Sequence, residues 1–258
     1  LIPIIEEAFI SLSKGNTVMP PIMRIDIEKY HGESDVKAAY IEGLDSFAIK
    51  IASGFFDNPK LGLPSSNGMM VLLDSETGVI KSILLDEGYL TDTRTAIAGA
   101  IAAKYLSNED ASNLGIIGAG IQARLQLKAI LLVRKINKIN LWARDKVKVD
   151  EFINSLKDLK IEINISESCK ELASSSDIIL TTTPSKKPLL EFDWIKKGTH
   201  ITAMGSDAEQ KNELHPAMIK LCDKYIPDNQ PQTTILGELH HAIKENLISP
   251  DHKFDDLG

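Results

Sequence analysis

The chain has 258 residues, 43% of them hydrophobic and 25% charged, which is enough to bury a large core in one or two domains. A formal net charge of -7 argues against a nucleic-acid partner, and no apolar segment is long enough to cross a membrane. Cys169, Cys222 and the six histidines lack metal-ligand spacing, so we expect no bound metal. No secretory signal is visible, and the expected location is the cytoplasm.

The first 90 residues predict strands that follow one another without helices between them. Turn signals separate the strands at Gly43, at residues 57–59 and at residues 76–78. Consecutive strands of this kind pair antiparallel, so we predict a separate α+β domain over residues 1–94. An alanine-rich helix over residues 91–106 is predicted to follow. The strands are predicted at residues 36–41, 47–53, 69–74 and 79–86.

A glycine-rich turn comes directly after the apolar residues 114–117. Its sequence, Gly118-Ala119-Gly120-Ile121-Gln122-Ala123, fits the Gly-x-Gly-x-x-Ala pattern of a dinucleotide-binding loop. In that pattern Gly118 makes the tight turn, Gly120 lets the backbone approach a pyrophosphate, and the next helix supplies free N–H groups. Glycine pairs also make ordinary turns, so the residues that follow must decide.

The residues that follow alternate between helical and strand-like segments. Such alternation predicts a parallel, doubly wound sheet, and therefore an α/β Rossmann domain that binds a nicotinamide dinucleotide over residues 95–237. Helices are predicted at residues 121–132, 146–159 and 167–173, and strands at residues 139–142, 161–165, 177–181 and 200–204.

Five short segments are spread over both predicted domains. They are Met19-Pro20-Pro21, Phe47-Ala48-Ile49-Lys50, Asp92-Thr93-Arg94-Thr95-Ala96, the glycine turn and Met204-Gly205-Ser206-Asp207. In this order they resemble the ornithine cyclodeaminase/μ-crystallin family, and the likeness is much more specific than the glycine turn alone. In that family a final segment returns to the substrate domain, so we expect a segment after about residue 238 to complete residues 1–94.

The resemblance implies a homodimer that pairs through the N-terminal sheet domains, with the active site in the cleft between that domain and the Rossmann domain. Family members act on α-amino or α-imino acids. Some are lyases that cyclise ornithine with bound NAD, others reduce imines with NADH or NADPH, and the crystallins bind NADPH and a ligand. The shared fold does not choose among these activities.

Arg24, Lys50 and Arg94 match the family's positions for the substrate carboxylate. A guanidinium group pairs with both oxygens of a carboxylate, which would fix the α-carbon for hydride transfer. Without the resemblance, Arg24 and Arg94 are better explained as surface residues. Lys50 is different because it interrupts an apolar strand-like segment, residues 47–52, where a lysine needs a partner or a cleft.

Asp207 follows a predicted strand at its carboxyl end, where open α/β sheets bind ligands. By resemblance it pairs with the substrate nitrogen as general acid and base, with Lys50 as a polarising cation. The alternative is that Asp207 caps a helix. Lys60 and Lys211 are candidates for binding a second substrate carboxylate, but each is better explained as a solvated loop lysine.

The end of the second Rossmann strand bears on cofactor choice. An acidic residue there binds the ribose hydroxyls of NAD, whereas a basic residue accepts the phosphate of NADP. The family's NAD-selecting aspartate falls at Ala143, and Arg144 comes next, which favours NADP, while Asp145 keeps NAD open. The predicted cofactor contacts are Arg94, Thr95, Gly118, Ala119, Gly120, Ile121, Gln122, Ala143, Arg144, Thr182, Thr183, Met204 and Gly205.

We therefore predict an NAD(P)-dependent oxidoreductase that reduces a small α-imino acid to an α-amino acid, or runs the reverse. Cyclodeaminases share a Gly-Lys-Thr-Glu-Leu segment after the aspartate. This chain has Lys211-Asn212-Glu213-Leu214 instead, which looks closer to iminosuccinate reductases and ectoine-utilisation proteins. The alternatives are an ornithine cyclodeaminase-type lyase with bound NAD and a crystallin-like NADPH-binding protein without turnover.

Overall fold

The structure, a computed structural model, describes residues 1–258 and divides into two compact units. Pro3–Arg94 with Gly258 form what we call the antiparallel unit, and Leu1–Ile2 with Thr95–Leu257 form the parallel unit. The presence of one antiparallel and one parallel sheet confirms the predicted fold class. None of the helices combines the length and the apolar character that crossing a bilayer requires.

The antiparallel unit contains one helix and six strands. They are α1 (Ile2–Ser13), β1 (Thr17–Val18), β2 (Met23–Ile27), β3 (Gly32–Ile41), β4 (Ser46–Phe55), β5 (Ser66–Asp74) and β6 (Ile80–Leu84). The strand order is β1-β3-β4-β5-β6, with β2 also paired to β3. The register of β3 against β4 places Lys37 directly opposite Lys50.

The parallel unit has a five-stranded sheet flanked by helices. Its elements are α2 (Tyr89–Leu106, which begins in the antiparallel unit), β7 (Asn113–Ile117), α3 (Ile121–Ile130), β8 (Lys138–Trp142), α4 (Lys146–Asn154), β9 (Glu162–Ile165), α5 (Cys169–Ser175), β10 (Ile178–Thr181), β11 (His200–Ala203), α6 (Ala217–Leu221), α7 (Gln230–Ile235) and α8 (Glu238–Lys244). All pairs are parallel, in the order β11-β10-β7-β8-β9. The strand that carries the glycine turn is therefore central.

The buried apolar side chains all lie between Ala96 and Ala242, within the parallel unit. They form two clusters, with Ile116 of β7 in one and Ile117 in the other. Successive side chains of a strand point to opposite faces, so the clusters cover the two faces of the sheet, as parallel sheets require. This double packing holds the carboxyl ends of the strands in place.

The elements predicted between residues 36 and 204 are confirmed, with shifted ends. The helix predicted to reach residue 159 ends at Asn154, where the chain enters a series of turns. Strand β2 was not predicted, and it places Arg24, the alternative reading of which was a surface residue, at a half-buried position of a sheet. Its alternating sequence Met-Arg-Ile-Asp-Ile is the signal that indicates a half-buried strand.

Candidate functional site

The turn after β7 can be made only by glycine. Gly118 has φ of +116°, and a Cβ atom there would lie 2.7 Å from Thr182 Oγ1 and 3.0 Å from the Thr182 carbonyl oxygen. The Thr182 amide in turn donates to the Ile117 carbonyl at 3.0 Å. The loops that follow β7 and β10 are thus packed against each other at the carboxyl edge of the sheet.

Gly120 is a glycine for a different reason. Its φ of -81° suits any residue, and a Cβ atom there would meet no protein atom within 4 Å. It precedes α3, whose first turn receives no side-chain cap. Open space beside a glycine, next to uncapped N–H groups at a helix N-terminus, fits the close approach of a pyrophosphate. The residues present therefore fit a dinucleotide.

The loop after β8 separates the two charges that bear on cofactor choice. The Asp145 carboxylate accepts hydrogen bonds from the amides of Val147 at 3.0 Å and Lys148 at 3.4 Å, so it caps α4. Ala143 is partly buried and Arg144 is exposed. The acidic group in this loop is engaged in the fold, whereas the Arg144 side chain is directed to solvent.

A buried carboxylate joins the ends of β10 and β11. Glu213 is 0% exposed, and its Oε1 accepts from the amide and the hydroxyl of Thr183 at 2.6 and 2.7 Å. Its Oε2 accepts from the Thr181 hydroxyl at 2.7 Å and the Gly205 amide at 2.8 Å. Burial raises the pKa of Glu213, while these four hydrogen bonds oppose the rise. Two backbone amides can only donate, so the arrangement suits the ionised carboxylate.

A second buried carboxylate lies behind the first. Glu238, in α8, accepts from the Asn212 side chain at 2.7 Å, the Glu213 amide at 2.8 Å and the Leu214 amide at 3.1 Å. Burial raises the pKa of Glu238 to about 7. The Glu213 carbonyl also accepts from the Leu189 amide at 2.7 Å. The backbone that carries Glu213 is thereby held from both sides.

Asp207 lies in the loop after β11, as predicted, and no helix begins there, so the helix-cap alternative is wrong. Its side chain is 65% exposed and forms an ion pair with Lys211. Lys211 is only 8% exposed, and its carbonyl accepts from the Ser206 hydroxyl at 2.5 Å and pairs with His241 Nε2 at 2.7 Å. The expectation of a solvated Lys211 is therefore wrong, because its ammonium group is directed at Asp207. Lys60, 76% exposed beside Asp57, is the solvated lysine that was expected.

Lys50 of the antiparallel unit lies among other cations. Burial, followed by the positive charges of Arg94 and Lys37, lowers the pKa of Lys50 from 10.5 to about 8. The carboxylates of Asp35 and Asp86 oppose this shift but do not cancel it. Like charges directly opposite each other on neighbouring strands are destabilising, and the carboxylate of Asp35, 3.4 Å from Lys37 Nζ, offsets part of that repulsion between Lys37 and Lys50. The role predicted for Lys50 in binding a substrate carboxylate stays a prediction.

Arg24 has carboxylate partners within its own sheet. Its guanidinium donates to Asp26 at 2.9 Å and to Glu33 at 2.5 Å, and it lies 3.6 Å from Asp35. Burial lowers the pKa of Arg24, but these three acids outweigh it and raise the value. A substrate carboxylate would have to compete with them. The role predicted for Arg24 stays a prediction, and so do those of Arg94 and Thr95 in cofactor binding.

Two residues of this arrangement, Glu213 and Glu238, were not predicted to belong to it, and the burial of Lys211 was not predicted either. The sequence signal for the first is a glutamate next to Leu214, within a segment that follows Asp207 closely. No comparable signal marks Glu238, which follows Gly237 at the start of a short helix. Its contacts depend on the packing of α8 against the segment that holds Asn212.

The parallel sheet, the glycine turn and the space beside Gly120 define a Rossmann-type fold for binding a nicotinamide dinucleotide. The chain belongs to the ornithine cyclodeaminase/mu-crystallin family, whose sequence model matches residues 1–258. The resemblance noted from five short segments is thereby confirmed over the full length of the chain.

Two curated proteins illustrate the range of this family. The chain is 54% identical over 255 residues to an uncharacterized cyclodeaminase of Sinorhizobium fredii, an alignment that covers 98% of this chain and 77% of that protein. It is 32% identical over 261 residues to the iminosuccinate reductase of Paracoccus denitrificans, covering 98% and 78% respectively.

Two solved structures are similar over the whole chain. One is the Δ1-pyrroline-2-carboxylate reductase of Thermococcus litoralis in complex with NADH and L-proline, with a TM-score of 0.92, 32% identity, and coverage of 99% of this chain and 79% of that one. The other is an archaeal alanine dehydrogenase dimer with bound NAD, with a TM-score of 0.90, 31% identity, and coverage of 100% and 78%. Both bind NAD or NADH, and a preference of this chain for NADP stays a prediction.

Proposed function

We propose that this protein is an NAD(P)-dependent oxidoreductase that reduces a small α-imino acid to the α-amino acid, or catalyses the reverse. The observation that carries the proposal is the half-buried Lys50, whose ammonium group lies near Arg94 and Lys37. A concentration of positive charge in a partly desolvated place suits a small carboxylate. The reductases and the dehydrogenase among the relatives support the same substrate class.

In this proposal Lys50 and Arg94 bind the substrate carboxylate, and Arg24 contributes if its acidic partners release it. Charge-assisted hydrogen bonds of this kind orient the substrate as well as bind it. A bound reduced nicotinamide supplies the hydride that the α-carbon accepts. Because the cations bind the carboxylate, the imine nitrogen needs a separate proton donor.

Asp207 is the residue we assign to that nitrogen. In the reductive direction it donates a proton to the imine, and in the oxidative direction it accepts one from the amine. The ion pair with Lys211 holds the carboxylate in one orientation at the edge of the sheet. An exposed aspartate without such a partner would sample several rotamers, so Lys211 contributes orientation to the proposed step.

We assign the cofactor preference to NADPH. Ala143 stands where an acidic residue would select NAD, Arg144 is exposed, and the Asp145 carboxylate is engaged in capping α4. Replacing Arg144 by alanine should then weaken NADPH binding about tenfold and leave NADH binding unchanged, since only the 2′-phosphate is affected. Titration of the wild type and the Arg144→Ala variant with NADPH and with NADH measures this difference. Equal weakening of the two cofactors would contradict the assignment.

The test of the reaction is the absorbance of the reduced nicotinamide. The protein is incubated with NADPH or NADH and either Δ1-pyrroline-2-carboxylate or ammonia with oxaloacetate, pyruvate or glyoxylate. Stoichiometric loss of absorbance with one pair is the expected result, and at low substrate concentration the Lys50→Met variant should lose absorbance much more slowly. Constant absorbance across the panel contradicts the proposal.

A lyase is the second candidate, because the relative with 54% identity is named as a cyclodeaminase. A lyase of the family recycles its bound cofactor, so it would release ammonia from ornithine with no net change in NADH. The same protein, incubated with ornithine and NADH without added ammonia, is assayed for both ammonia and absorbance to separate the two reactions. Ammonia release without absorbance change favours the lyase.

The proposal includes a homodimer that pairs through the antiparallel units. Several large apolar side chains of that unit are exposed, including Ile80 at 58%, Ile83 at 55% and Leu85 at 77%. Exposed apolar side chains grouped in one segment, here β6 and the residue that follows it, suit an interface with another chain. The similar archaeal alanine dehydrogenase is described as a dimer, which supports a second copy of this chain as the occupant.

A further inference from the structure

The two loops that Glu213 joins are the loops after β10 and β11, which contain Thr182, Thr183 and Gly205. A Cβ atom on Gly205 would lie 2.2 Å from the Thr183 carbonyl oxygen and 2.6 Å from Glu213 Oε2. The two loops and the carboxylate are therefore in direct contact, with no space for a side chain at Gly205. Beyond the backbone hydrogen bond from Met204 to Thr181, this one carboxylate joins the two loops.

The backbone that carries the carboxylate is held by further hydrogen bonds. Glu238 accepts from the amides of Glu213 and Leu214, while the Glu213 carbonyl accepts from Leu189. Neither Glu213 nor Glu238 has appreciable contact with solvent, at 0% and 5% exposure. A side chain held at both ends fixes the loops to which it is bonded.

The sheet order tells which half of a dinucleotide these loops face. The glycine turn after central β7 receives the pyrophosphate, and the loop after β8, on one side, receives the adenosine ribose. Strands β10 and β11 lie on the other side of β7. A dinucleotide that crosses the carboxyl edge therefore places its nicotinamide half over the loops that Glu213 joins.

We propose that Glu213 is a positioning residue. Through Thr183 and Gly205 it fixes the backbone against which the nicotinamide half of the dinucleotide would lie. The inference rests on the dinucleotide-binding part of the proposed function and concerns no particular substrate. Glu213 touches neither cofactor nor substrate, and it acts by holding the backbone that does. It also bonds to Gly205, which lies two residues after the end of β11 at Ala203 and two residues before Asp207.

The replacement of Glu213 by glutamine changes the hydrogen bonding of this side chain without changing its size. A glutamine retains the volume but has a single acceptor oxygen, so its NH2 group must face the amide of either Thr183 or Gly205. Two donors then oppose each other in a site shielded from solvent. One loop must move away, and the adenosine side of the sheet is unaffected.

The experiment is a calorimetric titration of the full chain with two probes, the intact reduced dinucleotide that the wild type prefers and the matching ADP-ribose, with or without its 2′-phosphate. The variants are Glu213→Gln and the milder Thr181→Val, which removes one hydrogen bond to Oε2 and keeps the shape. The matched control is Asp177→Asn. Asp177 accepts from the amides of Ser112 and Asn113 at 3.1 and 2.9 Å, and so joins β7 to β10 at the opposite edge of the same sheet.

We expect Glu213→Gln to weaken the intact dinucleotide at least about tenfold and ADP-ribose less than about twofold. Thr181→Val should show the same selectivity at about threefold, and it serves as the readout if Glu213→Gln does not fold. Asp177→Asn should lower the melting temperature without changing the ratio of the two affinities. If Glu213 had a purely structural role, Glu213→Gln would lower the melting temperature without changing the ratio of the two affinities, as Asp177→Asn does.

Equal weakening of both probes, or of neither, in a folded variant would overturn the inference. Wild-type protein that binds no dinucleotide would overturn it together with the cofactor assignment. Wild-type protein that binds the dinucleotide but reduces no imino acid would sink only the proposed reaction, and the affinity ratio would still decide the role of Glu213.

Discussion

The two units of this chain differ in how far they bury apolar and charged side chains. In the parallel unit, side chains such as Leu114, Ile116 and Phe152 are 0% exposed, and even carboxylates are buried because each finds several donors. In the antiparallel unit no apolar side chain is buried to that extent, and the charged Lys50 is more enclosed than the apolar Ile83. One unit holds loops rigid by its own packing, while the other presents surfaces that suit further contacts.

This difference in burial explains where carboxylates that hold the backbone and cations that bind substrate can lie. Backbone-holding carboxylates are effective only in a close-packed region, because there an unmade hydrogen bond cannot be replaced by water. Substrate-binding cations need partial exposure, because a fully buried lysine would lose its proton. Variants in each unit test whether one unit holds the backbone of the site and the other binds the substrate.

The largest effect is expected for Asp207→Asn. Asparagine cannot exchange the proton that the imine nitrogen requires, so kcat should fall by about 10²- to 10⁴-fold. The side chain is 65% exposed, so the melting temperature should change little. Steady-state kinetics and thermal unfolding check both statements. A variant with near wild-type kcat would remove Asp207 from the reaction.

The second effect concerns Lys50 and pH. Its pKa of about 8 means that the ammonium form is present below that value and is lost as pH rises through it. The KM for Δ1-pyrroline-2-carboxylate should therefore increase above pH 8, while Lys50→Met should raise KM about 100-fold at pH 7. Initial rates from pH 6 to 10 measure this.

Two variants sharpen the assignment of that pH dependence. Lys50→Arg should remove the rise in KM, because arginine stays protonated throughout the range. Lys37→Met should move the rise to higher pH, because it removes a positive charge that lowers the pKa of Lys50. The same pH dependence in all three proteins would show that another group is responsible.

A pair of glycine substitutions separates binding from stability within the parallel unit. Gly120→Ala meets no protein atom, so we expect an unchanged free energy of unfolding within about 0.5 kcal/mol and at least tenfold weaker dinucleotide binding. Gly205→Ala would place a Cβ against the Thr183 backbone, so we expect about 3 kcal/mol of destabilisation. Urea unfolding and cofactor titration provide both numbers. Loss of stability in Gly120→Ala would contradict the open site.

The smallest expected effect on chemistry comes from the exposed apolar side chains of the antiparallel unit. Ile83→Asp should dissociate a dimer that pairs through this sheet, because it introduces a charge into an apolar contact. Sedimentation velocity of this variant, beside Ile165→Asp on the parallel unit as the control, tests the proposed pairing. Ile165 is likewise 55% exposed. Dissociation by both variants, or by neither, would count against it.

Much of the architecture could be predicted from local pattern. Alternation of short apolar runs with helical segments was sufficient for the parallel sheet, and Gly118 with Gly120 was sufficient for its dinucleotide turn. Strand β2 was missed because five residues between two turns give a weak signal, and its pairing with β3 supplies the stability. The helix after residue 146 was predicted too long because its apolar residues continue beyond the last helical turn.

The sequence by itself determined the fold class and the family, since these follow from periodicity and short motifs, and it predicted the roles of Lys50, Arg94 and Asp207. Only the tertiary structure decided which charges are paired. It placed Arg24 among acids, engaged Asp145 as a helix cap, and directed Lys211 at Asp207. The physical reason is that periodicity reports which face of an element is buried, whereas the environment of a charge depends on groups that are distant along the chain. Glu213 and its donors on two strands are the clearest case.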